Sequence, residues 1–524
     1  MRHATTVLAA VFSIFLSGTG LRAAPTTASR AEMVVKGWLK LTPLPLGVGL
    51  SQNVLKVETF QDDRGSPVGF VVCLHPAGFV VVSADDLVEP IIAFTDEGVH
   101  AFSQDSLIRT LVMQDVLARV HSARIESAGL RALAQTAGDS NRGKWKRLEA
   151  AAAETQAEIS IAGRSYLSDI RVAPFIRSRW GQSSICSGTQ YCFNYDTPEH
   201  HPCGCVATAM AQLMYYHAYP PDRYAWQEMV LAPNCNTTDL QCKAIGRLCY
   251  DAGVAAKTQY GPNASTSDVD NATTALRDSF GYANAVIGWN WTANLGEGLV
   301  DMLNPNLDAG YPVILQIAGT SGHAVLADGY GYDLGIPYHH LNLGPENSHT
   351  TFNIWYNLDH DPPLIDPGQN ILYDTIEQCS YNIFPQGHGE ILSGRVTDIY
   401  GNPISAVTVS AVLHELPTRI WSAETNENGI YALVGIDPRS TYLVRAEKSG
   451  HHFPERIEIV GESEDHQAVS GNRWGIDFRD TSVIAGTSIQ IGLESLQWDY
   501  PLHTEHHFSR TQVIYLANEI GRSG

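Results

Sequence analysis

Seven of the nine cysteines fall between Cys186 and Cys249, and two of them, Cys203 and Cys205, flank Gly204 at the mouth of a helical pattern. From Val206 the residues Val206, Met210, Leu213, Met214 and His217 recur with a period of about 3.6, and Pro220-Pro221 ends the run. Cys205 therefore opens a helix. At that end the unsatisfied N–H groups and the positive pole of the dipole favour a thiolate over a thiol. Gly204 lets the chain turn tightly just before it. A thiol in this place is a candidate nucleophile; the competing reading makes Cys205 half of a disulfide and Cys203 the free thiol.

A chain of 524 residues, 44% hydrophobic and 17% charged, can bury large cores but exceeds one ordinary domain. Its net charge of −21, with only 34 Lys and Arg, argues against a nucleic-acid partner, because neutralising phosphates needs clustered cations. A basic start, an apolar run over 7–16 and small residues before Pro25 predict a signal peptide over 1–24 and a secreted, extracellular or surface-associated protein. That run is too short for a membrane helix, and no other stretch predicts a transmembrane segment. Export permits disulfides. Cys186/Cys192 and Cys235/Cys242 are the expected local bridges, with the connectivity left open, and the odd total leaves at least one thiol unpaired within a monomer.

The rest of the chain divides by pattern. Helical spacing at Ala31, Val34, Val35 and Trp38, then strand-like runs at 55–60, 69–74 and 78–83, predict a small α+β unit over 25–135. An Ala-, Leu-, Arg- and Glu-rich stretch then reads as helix fading into an exposed linker, assigned to 136–164, with activation cleavage expected between Leu133 and Arg171. Residues 165–386 hold most of the cysteines. Short alternating strands separated by GNP, NENG and DPRS turns predict an all-β sandwich over 387–455. A polar stretch and a helical candidate at 511–520 make up a tail or partial module over 456–524.

A thiolate needs a general base, a group that orients the base, and donors for an oxyanion. His323 opens a strand pattern (HAVLADGYGY) after a turn, so its ring is fixed by a sheet while its tip faces a cleft. Asn342, in the alternating HLNLG, is placed to hold that ring through its distal nitrogen. Gln182, in SRWGQSS, is placed to offer an amide N–H to an oxyanion beside the Cys205 backbone N–H.

The segments PFIRSRWGQS, GCVATAMAQLMYYHAYP, LCYDAGVAAKTQYGPNAST, GHAVLADGY and HLNLG followed by WYNL resemble the streptopain family of papain-like cysteine peptidases, in order over roughly 220 residues. GFVVVSADDLVEPIIAFTDEG is similar to that family's inhibitory propeptide. The resemblance implies a papain-like α+β fold and a zymogen inhibited by its own propeptide. It also implies protein or peptide substrates, Cys205 as nucleophile, His323 as base and acid, Asn342 as orienting residue, Gln182 as oxyanion donor, and no metal or other cofactor. One departure stands out: the family usually has Trp directly after the Asn, shielding the Asn–His bond, whereas Leu343-Gly344-Pro345-Glu346 follows here. Residues 387–455 resemble a carboxypeptidase-regulatory-like or Cna-B-like sandwich, expected to space, stabilise or attach the enzyme to a surface.

Three other readings compete. A transglutaminase-type acyltransferase would use the same Cys and His but normally an Asp as third group. A decayed, non-catalytic surface-binding protein would leave Cys205 unreactive. Zinc on His200, His201, Cys203 and Cys205 fits poorly, because one residue separates the cysteines and no second well-spaced pair follows. The sequons at Asn236, Asn263, Asn271 and Asn290 matter only in a glycosylating pathway.

Overall fold

The computed structural model describes residues 26–62, 65–98, part of 112–120, 133–153, 168–289, 298–317, 322–345, 353–358 and 376–482. The expected signal peptide, the sequon at Asn290, the helical candidate at 511–520 and residues 154–167 of the expected cleavage region lie outside them.

The N-terminal unit begins with α1 (Ala28–Leu41), capped by Thr27, whose hydroxyl accepts from the Arg30 N–H. Its apolar stripe (Ala31, Val34, Val35, Trp38) is fully buried. It packs on an antiparallel meander of β1 (Val54–Gln61), β2 (Pro67–Leu74), β3 (Phe79–Ser83) and β4 (Ile91–Thr95). A second helix, α2 (Leu133–Ala153), lies against α1 with Trp145 and Leu148 buried. Part of the stretch expected to be an exposed linker is thus a docked helix. Gly37 sits where a Cβ would lie 1.8 Å from the Leu148 carbonyl oxygen, so the two backbones approach as only glycine allows.

The central unit contributes β5 (Ser168–Val172), α3 (Cys205–His217), α4 (Asp239–Ala255), α5 (Val269–Asp278), β6 (Asn284–Trp289) and α6 (Gly298–Asp308). It then adds β7 (Val313–Ile317), β8 (His323–Asp333), β9 (Ile336–Asn342), β10 (Asn353–Tyr356) and β11 (Ile376–Phe384). The two units share one sheet in the order β1-β2-β3-β4-β10-β9-β8-β7-β11-β6, with β5 on β8. The joint is the antiparallel pair β4–β10, with Phe94 opposite Trp355 and Ala93 opposite Tyr356. Around it Trp38, Phe94, Ile336, Tyr338 and Trp355 form one hydrophobic cluster, so the N-terminal unit has no core wholly separate from the central one.

An all-β sandwich follows, with β15 (Ile430–Ile436), β12 (Glu390–Thr397) and β18 (Phe478–Arg479) in one sheet. The other holds β14 (Ile420–Glu424), β13 (Thr408–Leu413), β16 (Ser440–Glu447) and β17 (Arg456–Val460). β17 and β18 lie beyond residue 455: residues first assigned to a separate tail complete both sheets. Their signal is weak because β17 alternates about exposed Ile457 and Ile459, and β18 is two residues long. The Arg395 guanidinium, largely buried, reaches back to Asp169 of the central unit at 2.6 Å. Among the described residues no helix is long and apolar enough to cross a membrane.

The cysteine bridges differ from expectation. Cys186 pairs with Cys235 rather than with Cys192. The 185–190 stretch closes on itself through the Ile185–Gln190 bridge. Cys186 stays partly exposed on that turn and meets Cys235, while Cys192 and Cys242 go fully into the core.

Candidate active site

Cys205 is the first residue of α3, behind Gly204 in the left-handed region at φ +91°. A Cβ on Gly204 would sit 2.8 Å from the Ser265 carbonyl oxygen, so both conformation and space require glycine there. The helix behind is almost entirely buried from Val206 to Met214, which fixes the position of its first turn. His323 is the first residue of β8, opposite Ile317 of β7. The turn and the sheet bring Cys205 and His323 together. The His323 side chain and the backbone N–H groups of Ala324 and Val206 surround the thiol and favour its ionised form. Burial alone pushes this thiol up, but the His323 side chain and those N–H groups outweigh it, and Cys205 titrates below its ordinary value.

The far ring nitrogen, His323 Nε2, lies 2.8 Å from the Leu343 carbonyl oxygen. A carbonyl only accepts, so Nε2 carries a proton, which leaves Nδ1 for the thiol. The expected Asn342 side-chain bond to His323 is not made. Instead Asn342 and Gln212 form a reciprocal amide pair, with Gln212 Nε2 donating to Asn342 Oδ1 at 3.1 Å and Asn342 Nδ2 to Gln212 Oε1 at 3.4 Å. Asn342 Nδ2 also donates to the Ser178 carbonyl at 2.9 Å, and Asn342 Oδ1 accepts from the Gly344 N–H at 3.3 Å. Asn342 therefore bears on the imidazole indirectly, by fixing the backbone whose carbonyl holds the ring.

Gln182 is buried against the same backbone. Its Nε2 donates to the Gly344 carbonyl at 2.8 Å and its N–H to the Pro345 carbonyl at 3.2 Å. Three successive carbonyls of 343–345 thus hold His323 and Gln182 at fixed separation. A side-chain amide has two N–H bonds, so one on Gln182 remains beyond its bond to Gly344. Gly344 has φ +50°, and a Cβ there would lie 3.0 Å from Thr208 Cγ2. Leu343, where the family usually has Trp, is buried at 1% exposure in the cluster of Leu341, Ile354 and Tyr356, whereas Cys205 packs against a different one.

Sequence reasoning missed Gln212, Ser178 and the Leu343 carbonyl. Gln212 had a signal: it lies seven residues after Cys205, on the same face of α3, as an amide among Ala, Leu and Met. The Leu343 carbonyl had none, because every residue has one. His200, His201, Cys203 and Cys205 do not converge: His200 stacks on Tyr191, Cys203 points to Thr208 in the core, and Cys205 meets His323.

Comparison with known proteins completes the picture. Residues 180–352 match the model of the Peptidase C10 family, residues 23–114 that of the Spi protease inhibitor, and residues 391–469 that of the carboxypeptidase regulatory-like domain. The chain carries a papain-like cysteine-peptidase domain of the C10 family. An inhibitor-type propeptide precedes this C10 domain, and a β-sandwich follows it. Streptopain of Streptococcus pyogenes is 26% identical over 176 residues, covering 28% of this chain and 44% of that protein, so the similarity spans less than half of the relative's length. Among solved structures, a prointerpain A fragment of Prevotella intermedia is 19% identical with a TM-score of 0.39, covering 62% of this chain and 97% of that one. The active wild-type interpain A cysteine protease of the same organism is 25% identical with a TM-score of 0.32, covering 40% and 94% respectively.

Proposed function

We propose that the chain is the zymogen of a secreted cysteine endopeptidase that cleaves protein or peptide substrates through a Cys205 thioester. The observation that carries this reading is the juxtaposed Cys205–His323 pair at the start of α3, with the distal ring nitrogen held by the Leu343 carbonyl. His323 takes the thiol proton, and the thiolate attacks the peptide carbonyl carbon. The oxyanion is met by the Cys205 backbone N–H and the remaining Gln182 N–H. Collapse expels the amine, which leaves with the proton from His323; the imidazole then takes a proton from water as it attacks the thioester, freeing the acid and the thiol. Asn342 and Gln212 position the carbonyl that holds His323. Residues 25–135 act as the inhibitor until the chain is cut. The sandwich supports or attaches the enzyme.

Denatured casein tests the reading. Chain from which the propeptide has been cut is expected to hydrolyse casein, and iodoacetamide is expected to stop it in step with one alkyl group on Cys205. Isopeptide crosslinks without hydrolysis would favour the acyltransferase; folded protein with neither hydrolysis nor alkylation at Cys205 would favour the decayed binding protein.

A backbone variant tests the carbonyl clamp. Gly344→Ala puts a methyl against Thr208 at a positive φ and must shift the Leu343 carbonyl. Misplacing a base by an ångström costs on the order of 10²-fold, so kcat should fall by about that much with KM little changed. Full activity in a correctly folded Gly344→Ala protein would remove the clamp from the mechanism.

A further inference from the structure

Four cysteines lie in the core beside the nucleophile and take no part in the proposed mechanism. α4 begins with a capping box between Thr238 and Gln241, which sets its rotation. Cys242, Gly246, Cys249 and Gly253 then fall on one face. That face is pressed against the 192–195 segment and the first turn of α3: a Cβ on Gly246 would meet the Cys192 carbonyl oxygen at 2.4 Å, and one on Gly253 would meet Ala207 Cβ at 3.4 Å. The register puts Cys242 against Cys192 and Cys249 against Cys203. In this structure the members of each pair face each other as free thiols, and all four residues are fully buried. Gln190 ties the first pair from outside, donating to the Thr237 carbonyl at 2.7 Å and reaching Cys242 Sγ at 3.5 Å.

We propose that in the exported protein Cys192 is bonded to Cys242 and Cys203 to Cys249, giving with Cys186–Cys235 three disulfides that clamp α4 to the nucleophile's turn. Each closure joins two sulfurs and releases two protons and two electrons. An external disulfide of the glutathione or protein-oxidoreductase class takes these up and leaves as two thiols, by attack of one cysteine thiolate and resolution by the second. Six of the nine cysteines are thereby used. The remainder are Cys73 and Cys379, both buried and in separate parts of the sheet, and Cys205, which is partly exposed. The clamp thus leaves one accessible thiol, the nucleophile, so an oxidising surrounding has no accessible partner to bond to it. It also joins two parts of the site: the Cys203 N–H donates to the Gln182 carbonyl at 2.8 Å, so the Cys203–Cys249 bridge anchors the turn shared by Cys205 and Gln182.

The test is a thiol map of the full chain produced through an oxidising export route. Protein denatured in iodoacetamide without reductant, then digested, should yield three linked peptide pairs, 186–235, 192–242 and 203–249, with label only on Cys73, Cys205 and Cys379; the same treatment of native protein should label Cys205 alone. A Cys203→Ser chain should gain label at Cys249 and lose only that pair. Label on Cys192, Cys203, Cys242 or Cys249 in the unreduced wild type, or a different pairing among them, would overturn the proposal. The map reads no activity: an inactive protein with these links would sink the peptidase reading and leave the clamp standing.

Discussion

Cys205→Ala and His323→Ala are each expected to lower casein hydrolysis by at least about 10³-fold, and the double variant to be no worse than either. The non-additivity follows from the geometry. His323 has one nitrogen on the thiol and the other on the Leu343 carbonyl, so its chemistry is directed at one sulfur. Without the sulfur there is nothing for the imidazole to deprotonate; without the imidazole the thiol keeps its proton near neutral pH. Alkylation separates the roles, because it needs only the thiolate. Cys205 is held below its ordinary value of 9.0 against a burial effect of opposite sign, by the His323 side chain and the backbone N–H groups of Ala324 and Val206. Removing the ring leaves burial and the two backbone donors, so the pH midpoint of Cys205 alkylation in His323→Ala should move upward, and reaction at pH 6 should slow strongly. An unchanged alkylation profile in folded His323→Ala would detach the imidazole from the sulfur, whatever happened to hydrolysis.

What could be read from the chain depended on whether the deciding contact was local. The start of α3 was legible because Gly204, the apolar period and Pro220-Pro221 all act within one turn of the residues they control. β8 and β13 were legible for the same reason, as uninterrupted strand patterns bounded by turns. The bridges were not. Pairing Cys186 with Cys235 over 49 residues depends on how two loops fold back, and nearest-neighbour spacing pointed elsewhere. The partner of His323 was legible only to within one residue: Asn342 lies in the correct strand, but its side chain turns to Gln212 and the next carbonyl takes the ring. Leu343, at the place of the family's usual Trp, is buried with Leu341, Ile354 and Tyr356 rather than in the cluster against which Cys205 packs, a placement set by long-range packing. The docking of α2 was illegible because its large buried side chains are two, Trp145 and Leu148, in an Ala-rich helix whose composition resembles a linker. Joining the sheets through β4 and β10 required knowing which edge each unit left open, a property of the assembled meander rather than of either strand.

Trp38→Ala is expected to release the N-terminal unit and to yield, once the chain is cut, an enzyme that loses its inhibitor at any pH. The Trp38 ring is 1% exposed, packs 5.0 Å from Phe94, and donates through Nε1 to Asp333 Oδ2 at 2.6 Å across the interface with β8. Truncating a buried Trp costs about 3–5 kcal/mol, and here it also strips a buried carboxyl of a donor. The same contact makes docking depend on pH. Burial pushes Asp333 up to about 7, with the Trp38 hydrogen bond and the nearby Ser168 and Thr42 hydroxyls opposing and Glu89 adding to the rise. The docked form therefore holds a proton that a solvated aspartate gives up near its ordinary value of 3.8. Docking is then strongest at and below about pH 4, weakens by up to about tenfold per pH unit as pH rises, and is flat above about pH 7. Cut zymogen should retain its propeptide on gel filtration at pH 4.5 and lose it progressively towards pH 7.5. Asp333→Asn, which keeps an acceptor for Trp38 and cannot ionise, should hold the propeptide equally at both. Retention that strengthened with pH in the wild type, or an Asp333→Asn profile identical to it, would assign the pH response to another group.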